Sequence, residues 1–191
     1  RAPLTLRRWL RTLADTGRVA VMHPGVPLEH TLAAIAKRLD GKQAAYFPQP
    51  GGHGVPIVSG FMSRRAWIAE AMGVAEADLL AAYRRAAERP LAWREVARGE
   101  ARCQEVVHDR DIDVRKLLPI PTHSEHDNGA YITAGLVIAR NPKTGVQNVS
   151  INRIQVHAAD RMAILMLPRH LHSFYQAAEA AGEALPVAVV I

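Results

Sequence analysis

The chain has 191 residues, of which 49% are hydrophobic, 5% aromatic and 22% charged. This composition is typical of a globular protein and excludes a wholly disordered, collagen-like or coiled-coil chain. The net charge of +6 comes from residues 1–100, where 15 Lys and Arg stand against 9 Asp and Glu. The excess is dispersed as arginine doublets, without a basic block or interleaved aromatic residues, so we expect solvated helix faces and no nucleic-acid partner.

The cysteine count and the apolar runs limit where the protein works. The single cysteine, Cys103, cannot form an internal disulfide, which favours a reducing compartment, and we expect a cytoplasmic protein. No apolar run approaches the ~20 residues of a membrane span and no secretory signal is present, so we expect no membrane partner. The chain begins at Arg1 and stops at Ile191 inside an apolar β-branched run. We therefore expect it to be the amino-terminal part of a longer protein.

The first half of the chain alternates helix and strand patterns. Thr5 and Ser63 each stand before an apolar helical pattern, where a hydroxyl caps a helix. In chain order we predict a helix over 6–16, a strand over 18–22, a helix over 27–40, strands over 44–47 and 55–58, a helix beginning after 63 and a helix over 76–88. This order predicts a small α/β domain over residues 1–105.

The second half is dominated by strand patterns. We predict a strand starting at 106, a loop over 108–129, strands over 131–140, 146–157 and 162–167, a helix over 169–181 and a strand over 187–191. The sequence Asn141-Pro142-x-x-Gly145 is a turn, so the two long strands form a hairpin. Together the halves predict an α+β protein with a boundary near residue 105.

Polar residues alternate along the second strand of this hairpin. Asn148, Ser150 and Asn152 share one face of a regular strand, and Arg153 points to the other face unless the strand bends or bulges. A solvent-facing side explains this pattern about as well as a ligand does. For a ligand, the asparagine oxygen suits Mg²⁺ or Mn²⁺, and an arginine pairs with a carboxylate through two hydrogen bonds.

A second candidate lies where the last predicted helix begins. Pro168 suits a first helical turn, and the free amides of that turn together with Arg169 favour an anion. His170 is a candidate metal ligand. His170 and His172 are two residues apart and cannot share one helix face, so at most one of them belongs to a site. An ordinary surface histidine is the commoner interpretation.

The loop over 108–129 is a third candidate, because it is rich in histidine and acidic residues. His108, Asp113, His123, His126 and Asp127 raise the question of zinc. The loop lacks a cysteine pair and the His-x-x-x-His helical spacing, so a hydrated polar loop is favoured. The sequence also contains neither a P-loop nor a Gly-x-Ser-x-Gly nucleophile elbow.

Taken together, the segments 131–145 and 147–153 and the pair Arg169-His170 resemble the UbiD family of reversible decarboxylases that use prenylated FMN. Pro119-Ile120-Pro121 and the order of the amino-terminal elements fit the same family. The resemblance implies an α+β fold in which a small α/β amino-terminal domain, residues 1–105, is followed by the beginning of an FMN-binding split β-barrel, residues 106–191.

The resemblance also implies roles for single residues. Asn148 and His170 match the ligands of the divalent metal, Mn²⁺ or Mg²⁺, that joins the protein to the cofactor phosphate. The backbone carbonyl of Val149 matches a ligand of K⁺ or Na⁺, Arg153 matches the catalytic arginine, and Thr133 matches the wall of the substrate pocket. The positions that match cofactor contacts are Asn148, Ser150, Ile151, Asn152, Arg153, Arg169 and His170.

The implied reaction is the reversible, non-oxidative decarboxylation of an aromatic, heteroaromatic or α,β-unsaturated acid. Prenylated FMN serves as the electron sink while CO₂ leaves, Arg153 holds the carboxylate and an acid protonates the carbon. Asp127 and Asp160 do not match the family's catalytic carboxylates. Those carboxylates, the third metal ligand and the domain that makes such proteins dimers or hexamers are expected after Ile191, so the chain alone is expected to be inactive. A non-catalytic flavin-binding module or a degenerate paralogue is the alternative.

Overall fold

The computed structural model of the chain describes residues 4–92 and 94–191. These residues form two compact units: unit 1 comprises the stretches up to Pro27 and from Thr31 to Ile112, and unit 2 comprises Leu28–His30 and Asp113–Ile191. Each unit contains both helices and a sheet, so the predicted α+β class is confirmed. In the part of the chain that is described, no helix is long and apolar enough to cross a membrane.

Unit 1 is a three-stranded sheet with helices. Its strands stand in the order β1-β2-β3, with β1 parallel and β3 antiparallel to β2. The core consists of Trp9 and Leu13 from the first helix, Ala44 from β2 and Trp67 from the third helix. The elements are α1 (Leu6–Asp15), β1 (Val19–Val21), α2 (Thr31–Leu39), β2 (Ala44–Phe47), β3 (Ile57–Ser59), α3 (Arg65–Met72) and α4 (Leu79–Glu88).

The two predicted helix caps of unit 1 have different outcomes. Thr5 caps α1, because its hydroxyl accepts a hydrogen bond from the amide of Arg8 at 3.3 Å. The prediction that Ser63 caps α3 is wrong. The cap position is Arg64, and the Ser63 hydroxyl instead accepts from the amide of Gly41 at 3.2 Å. The Ser63 hydroxyl therefore makes a tertiary hydrogen bond and does not cap the helix.

Helix α2 begins four residues later than the predicted start at Pro27. Glu29 forms a bridge with Thr122, and the amide of His30 donates to the Thr122 carbonyl at 2.9 Å. His30 also has a positive φ of 58°, which lies outside the helical region. The pairing with Thr122 and the left-handed backbone of His30 therefore keep the helix from starting before Thr31.

Unit 2 is a four-stranded antiparallel sheet with one long helix. The strands stand in the order β6-β5-β4-β7, so the sheet is open and β6 and β7 are its edges. Leu171 and Phe174 of the long helix pack on Ile132, Val137 and Ile154 of the sheet. The elements are α5 (Val114–Leu117), β4 (Tyr131–Arg140), β5 (Gln147–Val156), β6 (Met162–Ile164), α6 (His170–Ala180) and β7 (Val187–Val190).

Two predictions for residues 106–129 are wrong. The expected strand at Val106 and Val107 is absent from the described structure, and both side chains are exposed because no neighbouring strand pairs with them. The expected loop contains α5, whose first turn is capped by Asp113 through a 3.1 Å hydrogen bond from the amide of Arg115. Val106 and Val107 therefore have no partner strand in the described structure. The carboxylate of Asp113, in contrast, caps a short helical turn.

Candidate active site

A cleft of about 330 Å³ lies beside the β4–β5 hairpin. Asn148 on β5 and His170 at the first position of α6 both line it. Asn141 and Thr144 of the hairpin turn and Phe174 of α6 contribute further to its walls. The structure therefore brings together the two residues that match the metal ligands of the UbiD family.

The hairpin turn sets the position of Asn148. The Asn141 side-chain oxygen accepts hydrogen bonds from the amides of Lys143 and Thr144 at 2.8 and 3.2 Å. Gly145, with φ of 73°, occupies the left-handed position that this turn requires. The turn fixes the strand register, in which Asn148 stands opposite Ala139.

Strand β5 is regular, and the predicted sharing of one face is confirmed. Asn148, Ser150 and Asn152 alternate in step with the buried Ile154, whereas Val149, Ile151 and Arg153 alternate on the exposed side. The Ser150 hydroxyl donates to the Asn152 side-chain oxygen at 2.8 Å. The Asn152 amide group donates to the Leu165 carbonyl at 3.0 Å, so this pair links β5 to the chain that follows β6.

The start of α6 differs from the prediction in one detail. Pro168 lies two residues before the helix rather than in its first turn, and Arg169 is the cap residue. The Arg169 side chain makes no capping hydrogen bond, which leaves the first-turn amides open to another acceptor. The cleft is lined by His170 and not by His172, in agreement with the prediction that at most one of the two belongs to a site.

A second cluster forms around Arg153. Its guanidinium lies over the ring of Tyr131, 4.0 Å from the centroid, and donates a hydrogen bond to the carboxylate of Asp127. Thr133 and Ala134 form a β-bulge directly opposite Arg153, because Ile132 pairs with Ile154 while Gly135 pairs with Asn152. The strand irregularity is therefore in β4 and not in β5, and it places Thr133 opposite the arginine. β-Bulges are common next to active sites, where they redirect side chains.

His123 belongs to the same surroundings. Its Nδ1 is buried and has no hydrogen-bond partner within the described residues. Burial lowers the pKa of His123, the carboxylate of Asp127 opposes this change, and the charge of Arg153 adds to it. Its surroundings therefore favour the neutral imidazole over the protonated one.

The histidine-rich loop does not assemble a metal site within the described residues. No group of three or more His, Cys, Asp or Glu side chains is arranged there to hold a metal ion. Asp113 instead pairs with Arg115 at 2.9 Å, and the His126 side chain is exposed. The loop residues that contribute to a cluster are Asp127 and His123, both near Arg153.

Sequence reasoning did not find Asp127 or Tyr131 as partners of Arg153. Asp127 lies 26 residues before Arg153 in the chain, and no short motif joins them. Tyr131 is the first residue of β4 and fits an ordinary strand pattern. Because the contacts depend on the loop path and on the bulge, no local feature of the sequence could have identified them.

Two family models together match most of the chain. The model described as the 3-octaprenyl-4-hydroxybenzoate carboxy-lyase Rift-related domain, UbiD, matches residues 94–191, and the N-terminal domain model of the same carboxy-lyase matches residues 10–87. The first of these models covers unit 2 almost entirely, including the cleft and the residues around Arg153.

Known proteins resemble the same regions. The anhydromevalonate phosphate decarboxylase of Methanothermobacter thermautotrophicus is 50% identical over 74 residues, which are 39% of this chain and 18% of that protein. The gallate decarboxylase of Lactiplantibacillus plantarum is 32% identical over 111 residues, 56% of this chain and 23% of that protein. A solved structure of the UbiD-class enzyme HmfF from Pelotomaculum thermopropionicum, in complex with prFMN, matches with a TM-score of 0.95 and 41% identity over 98% of this chain and 44% of that chain. The chain therefore spans less than half the length of each of these relatives.

Proposed function

The chain belongs to the UbiD family, and from this premise we propose that the whole protein decarboxylates an aromatic, heteroaromatic or α,β-unsaturated carboxylic acid reversibly, with prenylated FMN as cofactor. The observation that carries the proposal is the position of Asn148 and His170 in one cleft. The relatives point in the same direction, since they include decarboxylases of gallate and of anhydromevalonate phosphate and a UbiD-class enzyme solved with prFMN.

The residues of the cleft fit a divalent metal and a phosphate. An amide oxygen and an imidazole nitrogen are donors that Mn²⁺ and Mg²⁺ accept, and Asn148 and His170 supply one of each. The open amides at the start of α6 and the charge of Arg169 suit the phosphate of a flavin nucleotide. We assign the divalent metal to Asn148 and His170, and K⁺ or Na⁺ to the carbonyl of Val149.

The exposed side of β5 fits the remainder of a flavin. Ile151 is 72% exposed and offers an apolar surface to a ring system. Ser150 and Asn152 lie on the opposite face of β5, where Ser150 bonds Asn152 and Asn152 bonds the Leu165 carbonyl. We assign cofactor contacts to these two residues through the hydrogen-bonding groups that those bonds leave free. When bound, prenylated FMN supplies an electron sink for the charge left as CO₂ departs.

Arg153 is the residue to which we assign the substrate carboxylate. Its side chain is about half exposed, and a guanidinium has five N–H donors, of which one bonds Asp127. The remaining donors can bind a carboxylate through two parallel hydrogen bonds. We also assign one wall of the substrate pocket to Thr133, which lies in the bulge opposite Arg153.

The partners in this proposal are a small carboxylic acid, CO₂ and further copies of the whole protein, whose oligomerisation we attribute to a carboxy-terminal domain. The test is to produce the whole protein together with a source of prenylated FMN and to follow CO₂ release from a panel that includes gallate and 3,4-dihydroxybenzoate. We expect turnover of at least one acid, dependent on Mn²⁺ or Mg²⁺. Bound cofactor without turnover of any acid would favour a non-catalytic flavin-binding module instead.

A further inference from the structure

The two partners of the ion pair between Arg153 and Asp127 differ in their exposure to solvent. The Asp127 side chain is only 15% exposed, whereas the Arg153 side chain is 47% exposed. The carboxylate is therefore the fixed partner, and the guanidinium reaches out from it toward solvent. On the other side, the ring of Tyr131 lies 4.0 Å below the guanidinium and adds a cation–π contact.

The loop that holds Asp127 is anchored at several points. The amide of Asp127 donates to the Ser124 carbonyl at 3.0 Å, which closes a turn. The amide of Tyr131 donates to the Pro121 carbonyl at 3.0 Å, and the side-chain amide of Gln155 donates to the Asn128 carbonyl. Because β5 itself provides one of these anchors, the distance between Asp127 and Arg153 is set by the same strand that carries the arginine.

The neighbouring His123 does not compete with Arg153 for the carboxylate of Asp127. A protonated imidazole would compete with the guanidinium for the carboxylate. His123 lies with its Nδ1 buried and unpartnered among the described residues, and burial lowers its pKa. In the neutral state it brings no competing positive charge, so Arg153 is the cation that Asp127 binds.

An arginine on an exposed strand position would otherwise sample many rotamers, and fixing its long side chain costs rotamer entropy. We infer that Asp127 is a positioning residue, which together with Tyr131 fixes the plane of the Arg153 guanidinium so that its free N–H groups face the substrate carboxylate. This inference rests on the proposed function. It extends the site to a carboxylate that supplies no proton and binds no metal but determines where the arginine points.

The test uses the whole protein with cofactor and compares Asp127→Asn, Asp127→Glu and wild type. We expect Asp127→Asn to lower kcat at least ten-fold with a change in KM below about three-fold, because a misplaced group costs rate more than binding. Asp127→Glu, which keeps the charge, is expected to restore part of kcat. Flavin absorbance after desalting should remain at the wild-type level in both variants.

A double-mutant cycle separates positioning from a general structural effect. If Asp127 acts through Arg153, Asp127→Asn has little further effect on the residual activity of Arg153→Lys. Glu70→Gln, which breaks an arginine–carboxylate pair of unit 1, is the matched control and should retain wild-type kinetics. Fully additive effects, or a wild-type kcat in Asp127→Asn, would overturn the inference while leaving the proposed function intact. A wild type without turnover of any acid would overturn both.

Discussion

Asn148 and His170 line the same cleft although one lies on a strand and the other begins a helix. The turn at Asn141 sets the register of β5 and therefore the position of Asn148 along the strand. Packing of Leu171 and Phe174 on the sheet core sets the position of α6 and so of His170. Two independent packing relationships therefore bring this pair of side chains to the cleft.

The first prediction concerns this pair. Asn148→Ala and His170→Ala each remove one donor, so we expect retention of Mn²⁺ and of the cofactor to weaken by about ten-fold or more. The measurement is metal content and flavin absorbance of the whole protein after desalting. Removal of the metal with a chelator should cause the same loss in the wild type, and Mn²⁺ should restore it.

His172→Ala is the control for this prediction, because His172 lies on the same helix but does not line the cleft. It should retain metal and flavin at the wild-type level. Equal retention in all three variants would show that the cleft is not the metal site.

The second prediction concerns Arg153. Arg153→Ala should lower decarboxylation by at least a hundred-fold while the cofactor stays bound, because the carboxylate loses its two-point contact. Steady-state turnover and flavin absorbance measure the two effects separately. Arg153→Lys keeps the charge without the planar fork and should fall between wild type and alanine. Undiminished turnover in Arg153→Ala would refute the assigned role.

The third prediction concerns Gly135, which closes the β4 bulge. A Cβ at this position would lie 3.2 Å from Ile132 Cγ2 and Ile154 Cδ1 and 3.3 Å from Val189 Cγ1. Three apolar side chains would have to shift together, so Gly135→Ala should lower the free energy of unfolding by about 1–2 kcal/mol. Denaturant unfolding measures the change. Gly99→Ala, at a glycine with nothing within 4 Å of such a Cβ, is the control and should change stability little.

The fourth prediction concerns the ion pair of Arg18 and Glu70. Arg18 donates two hydrogen bonds to the Glu70 carboxylate, at 2.6 and 2.8 Å, and its guanidinium lies 5.7 Å from the ring centroids of both Trp9 and Trp67. The hydrogen bond from Arg18 lowers the pKa of Glu70 below its ordinary value of 4.5, although partial burial opposes the shift. Glu70 therefore stabilises the fold above that ordinary value, and the stabilisation is lost as the pH falls through the lowered pKa.

Glu70→Gln should accordingly be less stable than wild type at pH 7, by about 0.5–1 kcal/mol, since solvent screens a carboxylate that is 45% exposed. The difference should be smaller at pH 3 than at pH 7, because protonation of Glu70 removes the charge that Arg18 binds. Denaturant unfolding at both pH values measures it, and a difference that is the same at both would contradict the pairing.

The elements that the sequence predicted best are those with strong local patterns. The hairpin of β4 and β5 was placed within one residue at each end, because an Asn-Pro-x-x-Gly turn joins two long apolar or alternating runs. The start of α2 was misplaced because Glu29 and His30 pair with Thr122, far away in the chain. The cap predicted at Ser63 was wrong for the same reason, since its hydroxyl bonds Gly41.

The resemblance of segments 131–145 and 147–153 was enough to indicate the family. The α+β class and the alternation that puts Asn148, Ser150 and Asn152 on one face of β5 follow from local periodicity and turn chemistry, which act within a few residues. Tertiary packing brings His170 and Asn148 to one cleft, and it brings Asp127 and Tyr131 to Arg153, opposite the bulge at Thr133. Those contacts join residues distant in the chain, and they depend on register, bulge and loop path, which no local pattern specifies.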